Sequence, residues 1–179
     1  ADLYKPKDTD GPLAAIAVCG PYGAVKEQVS GLYAQTLAER GFLTVAFDPS
    51  YYGESSGQPR YLTSPEISTD DFSAAVDYLT TREDVDSQRI AVIGICGWGG
   101  FALNAAANDP RIRATITSTM YDMSRVNARG YFDAMDADAR YHLREELNRL
   151  RGEVYRTGTC ERDGGVVDPL PEDAPLFVR

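Results

Sequence analysis

The chain has 179 residues, 43% hydrophobic and 25% charged, enough for one domain with a buried core. Its net charge of −9, without a basic cluster, argues against nucleic acid or an anionic membrane as partner. No apolar run is long enough to span a bilayer and no signal-peptide pattern opens the chain, although the abrupt start at ADLYKP is consistent with a removed upstream segment.

In chain order, Leu3 and Tyr4 read as a short strand and Asp8 to Gly11 as a turn. Leu13 to Cys19 is an apolar run of strand length, and Gly20-Pro21-Tyr22-Gly23 is a tight loop. From Ser30 to Arg40, Leu32, Tyr33, Leu37 and Ala38 recur at helical spacing, with Gly41 as C-cap. Phe42 to Phe47 is the next buried strand, and Ser50 to Pro65 a polar loop. A helix is predicted from Ser68, with Asp71 completing a variant capping box and Phe72, Ala75, Val76 and Leu79 on its apolar face. Ile90 to Ile93 is a strand, about Gly97 to Ala107 a helix stopped by Asp109-Pro110, and Ile112 to Ile116 a further strand ending near Ser118.

Alternating strands and helices predict an α/β fold, a mostly parallel sheet with flanking helices and right-handed crossovers. After Ser118 the texture changes. Tyr121 to Asp138 has little apolar periodicity, and Leu143, Leu147 and Leu150 form a narrow stripe on a charged helix closed by Gly152. Glu161 to Arg179 is acidic and Pro-rich and reads as extended or loop. We therefore expect an incomplete sheet-bearing core over 1–120 and a partly helical cap with an extended tail over 121–179.

The richest stretch is RIAVIGICGWGG, Arg89 to Gly100. An apolar strand runs into glycine, then a cysteine, then an alanine-rich helix. A strand–tight turn–helix unit with a nucleophile at its apex resembles the nucleophile elbow of α/β-hydrolases. The following helix offers its N-terminal N–H groups to negative charge. AVCGPYGAVKEQ (17–28), FDPSYYGESSGQPR (47–60) and IGICGWGG (93–100) occur in the same order as similar segments of the dienelactone hydrolase branch, in which the nucleophile is often cysteine. The resemblance covers roughly the first two-thirds of the chain and implies a truncated α/β-hydrolase core.

It implies Cys96 as nucleophile, the backbone N–H of Gly97 as one oxyanion donor and that of Tyr22 as the other. Acyl transfer builds negative charge on a carbonyl oxygen, and losing one preset donor typically costs about 2.7–4 kcal/mol of barrier. Two features depart from the pattern. Trp98 occupies a position where a small residue is usual, and Gly20 stands where dienelactone hydrolases proper carry glutamate. Trp98, Tyr51, Tyr52, Tyr121 and Tyr131 are candidates for lining a pocket at the strand ends.

The acid and histidine of this fold come from loops after later strands, which the chain does not contain. Asp122 and His142 follow Cys96 in the order nucleophile, acid, base. His142 is the chain's one histidine, but it falls in the charged helix. A capping aspartate and an exposed helix histidine are the plainer readings of the two. Gly97 to Ala102 also fits G-x-G-x-x-A, yet no ribose-binding acid ends the next strand, so no dinucleotide is implied. Asp48 and Glu54 are read as ordering the loop after their strand. Cys19 is read as core and Cys160 as incidental. Three irregularly spaced cysteines without C-x-x-C form no disulfide framework, which suits a reducing, cytoplasmic setting.

The expected activity is hydrolysis of carboxylic esters or related acyl compounds, without metal or cofactor. Acid and base would come from sequence absent here, leaving this chain inactive or nearly so. A complementing segment or self-association would cover the bare edge near Ile116. The alternative is a non-catalytic binding module on a hydrolase scaffold.

Overall fold

Two parallel strands, β2 (Leu13–Cys19) and β4 (Val85–Ile95), pair at the centre of a five-stranded sheet in the computed structural model, which describes residues 1–7 and 9–159. The order is β1-β3-β2-β4-β5, where β1 is Asp2–Tyr4, β3 Leu43–Ala46 and β5 Ile112–Ser118. Four strands are parallel, and β1 runs antiparallel to β3 with Leu3 opposite Val45. β2 and β3 read as continuous apolar runs because both faces of a parallel sheet are covered. Ala15, Ala17, Leu43, Val45, Val92, Phe72, Val76 and Phe101 form the core on one face. Ile16, Val18, Ala46 and Ile93 pack on the other.

Helix α1 (Val29–Ala38) contributes Ala34 to this second core, while α2 (Pro65–Thr80) and α3 (Trp98–Asn108) belong to the first. The expected start of α2 is corrected. Ser64, not Ser68, is the N-cap, Pro65 takes the first helical position, and Ser68 is buried inside the helix. Proline suits that position because its missing N–H would have no partner there. Asp71 makes no capping box; its carboxylate accepts the N–H and hydroxyl of Ser50 at 3.0 and 2.6 Å. β4 begins five residues before Ile90, since the polar stretch Asp86–Arg89, exposed from Ser87 on, is extended. β5 lies at one edge of the sheet, with Ile116 46% exposed.

The chain divides into two compact units, 1–127 and a second from Ala128 onward. The boundary falls inside α4 (Met123–Arg129), a helix that the weak periodicity of this region does not reveal. The second unit holds a 3-10 turn at Tyr131–Asp133 and α5 (Ala137–Thr157). α5 passes through Gly152 and ends at Gly158, whose left-handed backbone (φ 69°) makes it the C-cap. The expected stop at Gly152 is thereby corrected: one interior glycine costs only about 1 kcal/mol, too little to end a helix whose Arg149 pairs with Glu146 and Glu153. Among the described residues no helix is long and apolar enough to cross a membrane. Asp8, Cys160 and the 161–179 tail lie outside the described residues.

One acid-sensitive link joins the start of the chain to the start of β4. Asp84 accepts from Lys5 Nζ at 3.1 Å and Arg82 Nε at 2.9 Å, and these cations, the Arg82 hydrogen bond foremost, hold its carboxyl at about 2 against an ordinary 3.8. A carboxylate with a lowered folded-state pKa stabilises the fold fully above its unfolded value and stops doing so as pH falls through the folded value. Urea unfolding from pH 5 to pH 2 is expected to show less acid sensitivity for Asp84→Asn than for the unsubstituted chain. Identical pH profiles would contradict this.

Candidate active site

The sheet order creates the site. From β2 the chain crosses to β3 on one side, then returns past β2 to β4 on the other. The loops leaving β2 and β4 therefore diverge at the carboxyl end of the sheet, the crevice where ligands of open α/β sheets bind. The β2 loop carries Gly20, Pro21 and Tyr22. The β4 loop is the turn at Cys96.

Cys96 sits between Ile95, the last residue of β4, and Gly97, the N-cap of α3. Its φ of 59° is left-handed, uncommon for a residue with a side chain and costly enough to need support. Support comes from three backbone hydrogen bonds. The Cys96 N–H donates to Ser118 O at 2.9 Å, and its carbonyl accepts from Gly99 and Tyr121 N–H groups at 3.1 and 3.3 Å. The β4–α3 turn is thus tied to the end of β5. Cys96 is a free thiol, half-buried.

Gly97 has no room for a side chain. A Cβ there would lie 2.1 Å from Cε2 of Tyr22 and 2.9 Å from Cγ of Met123. The Tyr22 ring therefore lies against the backbone of the turn. Burial above all, then Tyr52 and Cys96, pushes the Tyr22 hydroxyl up to about 12.

Trp98 does not line an open pocket. It is 2% exposed, packed edge-on against Phe101 at 5.2 Å and tilted against Phe72 and Tyr22, both at 6.3 Å. Tyr52 is buried, with its hydroxyl 2.7 Å from Thr63 Oγ1, and Tyr51 takes a left-handed backbone with its N–H on Ser56 O. Both belong to the loop after β3. Tyr121 is 41% exposed and joined to the turn through its N–H.

Asp122 caps α4. Its carboxylate accepts from Ser124 Oγ at 2.6 Å and Arg125 N–H at 2.9 Å, which hold it below the usual carboxylate range. His142 belongs to the second unit, where Nδ1 lies 3.0 Å from Glu145 Oε2 on the exposed surface of α5. Tyr131, in that unit, is 45% exposed. Cys19 is buried beneath the sheet end, and burial raises its thiol well above the ordinary range.

The sequence reading missed the partner of Asp48. Lys26 is 3% exposed and stands among Glu27, Asp48 and Glu54. These residues are up to 28 positions apart, so no local pattern signals the cluster. A lysine inside an otherwise apolar and glycine-rich loop was the available hint.

The sequence profile described as X-Pro dipeptidyl-peptidase (S15 family) matches residues 1–146. The uncharacterised protein PA2218 of Pseudomonas aeruginosa is 58% identical over 160 residues, which are 89% of this chain and 43% of that protein. Its crystal structure superposes with a TM-score of 0.88 at 52% identity, covering 98% of this chain and 55% of that one. The thiohydrolase aneE of Aspergillus aculeatus is 34% identical over 110 residues, 62% of this chain and 34% of that protein. The α/β-hydrolase GrgF of Penicillium sp. sh18 shares the fold, with a TM-score of 0.63 at 22% identity over 84% of this chain and 49% of that one. The chain spans less than half the length of the curated relatives it matches.

Proposed function

Because this chain belongs to the X-Pro dipeptidyl-peptidase (S15) family and has an α/β-hydrolase fold, we propose that it is the nucleophile-bearing part of a cysteine hydrolase of carboxylic esters, thioesters or related acyl compounds, of the dienelactone hydrolase type. The observation that carries this reading is Cys96 itself, held at φ 59° at the head of α3 beside Tyr22. In the proposed reaction the Sγ thiolate attacks the acyl carbon. A C–S bond forms, and the carbonyl electrons move onto oxygen, where the N–H groups of Gly97 and Tyr22 stabilise the oxyanion. Collapse expels the alkoxide or thiolate, and water then releases the acyl group from Cys96.

For this chain by itself, leaving-group chemistry favours esters and thioesters over amides. An amide nitrogen must be protonated as it leaves, which calls for a positioned general acid. The one histidine is bonded to Glu145 in the second unit. The base and acid are therefore assigned to residues outside these 179, and the thiohydrolase among the relatives supports the thioester class. A reducing, cytoplasmic compartment would keep Cys96 a free thiol.

The chain is expected to give one p-nitrophenolate burst per molecule with p-nitrophenyl acetate, then almost no turnover. Rapid, Cys96-dependent turnover would contradict the external base. The placement of His142 favours a second reading, a non-catalytic binding module; absence of any Cys96 acylation would support it.

A further inference from the structure

We propose that Lys26 and Asp48 are positioning residues for acyl transfer at Cys96, fixing the loop that presses Tyr22 against Gly97. The inference rests on Cys96 being the nucleophile. Asp48 lies two residues past β3, and its side chain is 1% exposed. Its Oδ1 accepts the Lys26 backbone N–H at 2.8 Å and its Oδ2 the Glu54 N–H at 3.0 Å. Lys26 Nζ stands 3.4 Å from the same Oδ2 and 2.8 Å from Glu54 Oε2, with Glu27 as its third carboxylate. The loop around Asp48 closes tightly: a Cβ at Gly53 would lie 2.2 Å from Asp48 Cγ. One buried carboxylate thus joins the loop after β2 to the loop after β3.

Tyr22 lies between two tethers of its loop. One is the Lys26–Asp48 link. The other is Ser30, whose hydroxyl donates to Gly20 O at 2.6 Å. With one end released, Tyr22 is free to drift from Gly97, and the two N–H donors no longer converge on one oxygen. The cluster cannot act through its charge. One ammonium faces three carboxylates, and net negative charge opposes a nearby oxyanion. Electrostatics alone would make Asp48→Asn faster, whereas loss of position makes it slower. Asparagine can accept only one of the two N–H groups at this place, since its amide nitrogen is a donor.

The test compares two reactions of Cys96 in the full 179-residue chain at pH 9, where ordinary thiols are ionised. With p-nitrophenyl acetate, the C–S bond forms and p-nitrophenolate leaves through an oxyanion. With iodoacetamide, the C–S bond forms and iodide leaves directly, with no oxyanion. Asp48→Asn is expected to lower the acylation rate on the order of 10- to 100-fold, the scale of a misplaced catalytic group, with alkylation nearly unchanged. Should Asp48→Asn fail to fold by circular dichroism, the double variant Lys26→Met/Glu54→Gln, which removes the Nζ links while leaving the net charge of the cluster unchanged, is read in the same way. Lys26→Arg is expected to restore the acylation-to-alkylation ratio. A ratio unchanged in the folded variants, or one that rises, overturns the proposal. Absence of Cys96 acylation in the unsubstituted chain overturns instead the nucleophile assignment on which it rests.

Discussion

Cys96→Ala is expected to abolish the acylation burst. In a Cys160→Ser background, the rate of p-nitrophenolate release should fall on the order of a thousandfold or more, the scale seen when a nucleophile is removed. The reason is local. Cys19 is buried with its thiol held protonated, so it cannot substitute. Cys96 sits on a left-handed turn that three backbone hydrogen bonds keep in place. Alanine accepts that backbone no less readily than cysteine, so folding should be unchanged and only chemistry lost. Matching circular dichroism spectra and melting curves would establish that point. A burst that survives Cys96→Ala would remove the nucleophile from this site.

Trp98→Ala carries the largest expected effect on stability. Removing a buried tryptophan from a core typically costs about 3–5 kcal/mol. Against a total stability of about 5–15 kcal/mol, that loss should lower Tm by roughly 6–20 °C in a protein of this size. The indole joins Phe72 of α2 to Phe101 of α3 and backs the Tyr22 ring, so the cavity would open directly beneath the turn. Trp98→Phe should retain most of the stability. A Tm unchanged in Trp98→Ala, with altered substrate selectivity, would instead return Trp98 to the pocket wall.

The contrast between Cys96 and Trp98 marks what could be read from the sequence. The apolar run, the glycines and the alanine-rich helix made the strand–turn–helix legible, because such patterns are local. The direction of Trp98 was not. Trp98 is the first residue of α3, and the side its indole takes is set by how that helix packs on the sheet, where it meets Phe72 and Phe101. β2 and β3 were legible for the same reason as β4, from continuous apolar runs; α1 was legible in place but not in face or end, since Leu32 is 62% exposed, Ala34 is buried, and the C-cap is Glu39, not Gly41. The start of α2 was misread because Ser64-Pro65 closes a polar loop, and its capping signal blends into that loop. α4 has too few apolar residues to show a period, and the glycine inside α5 looked like a stop. The Lys26–Asp48 link depends on β2 and β3 lying side by side, information that no window of sequence contains. Asp122 and His142 stand in the chain order of an acid and a base, and the structure shows each engaged within its own unit. One accepts two bonds at a helix start, and the other pairs with Glu145 on the surface of α5.

Cys96, as the proposed nucleophile, takes up an acyl group. The most direct measurement is peptide mapping by mass spectrometry after an acid quench of the chain with an acyl thioester. Trypsin places the three cysteines on separate peptides, 8–26, 90–111 and 157–162. The acyl mass is expected on 90–111, at Cys96, well ahead of the other two. Equal acylation of all three peptides, or none on 90–111, would contradict the assignment.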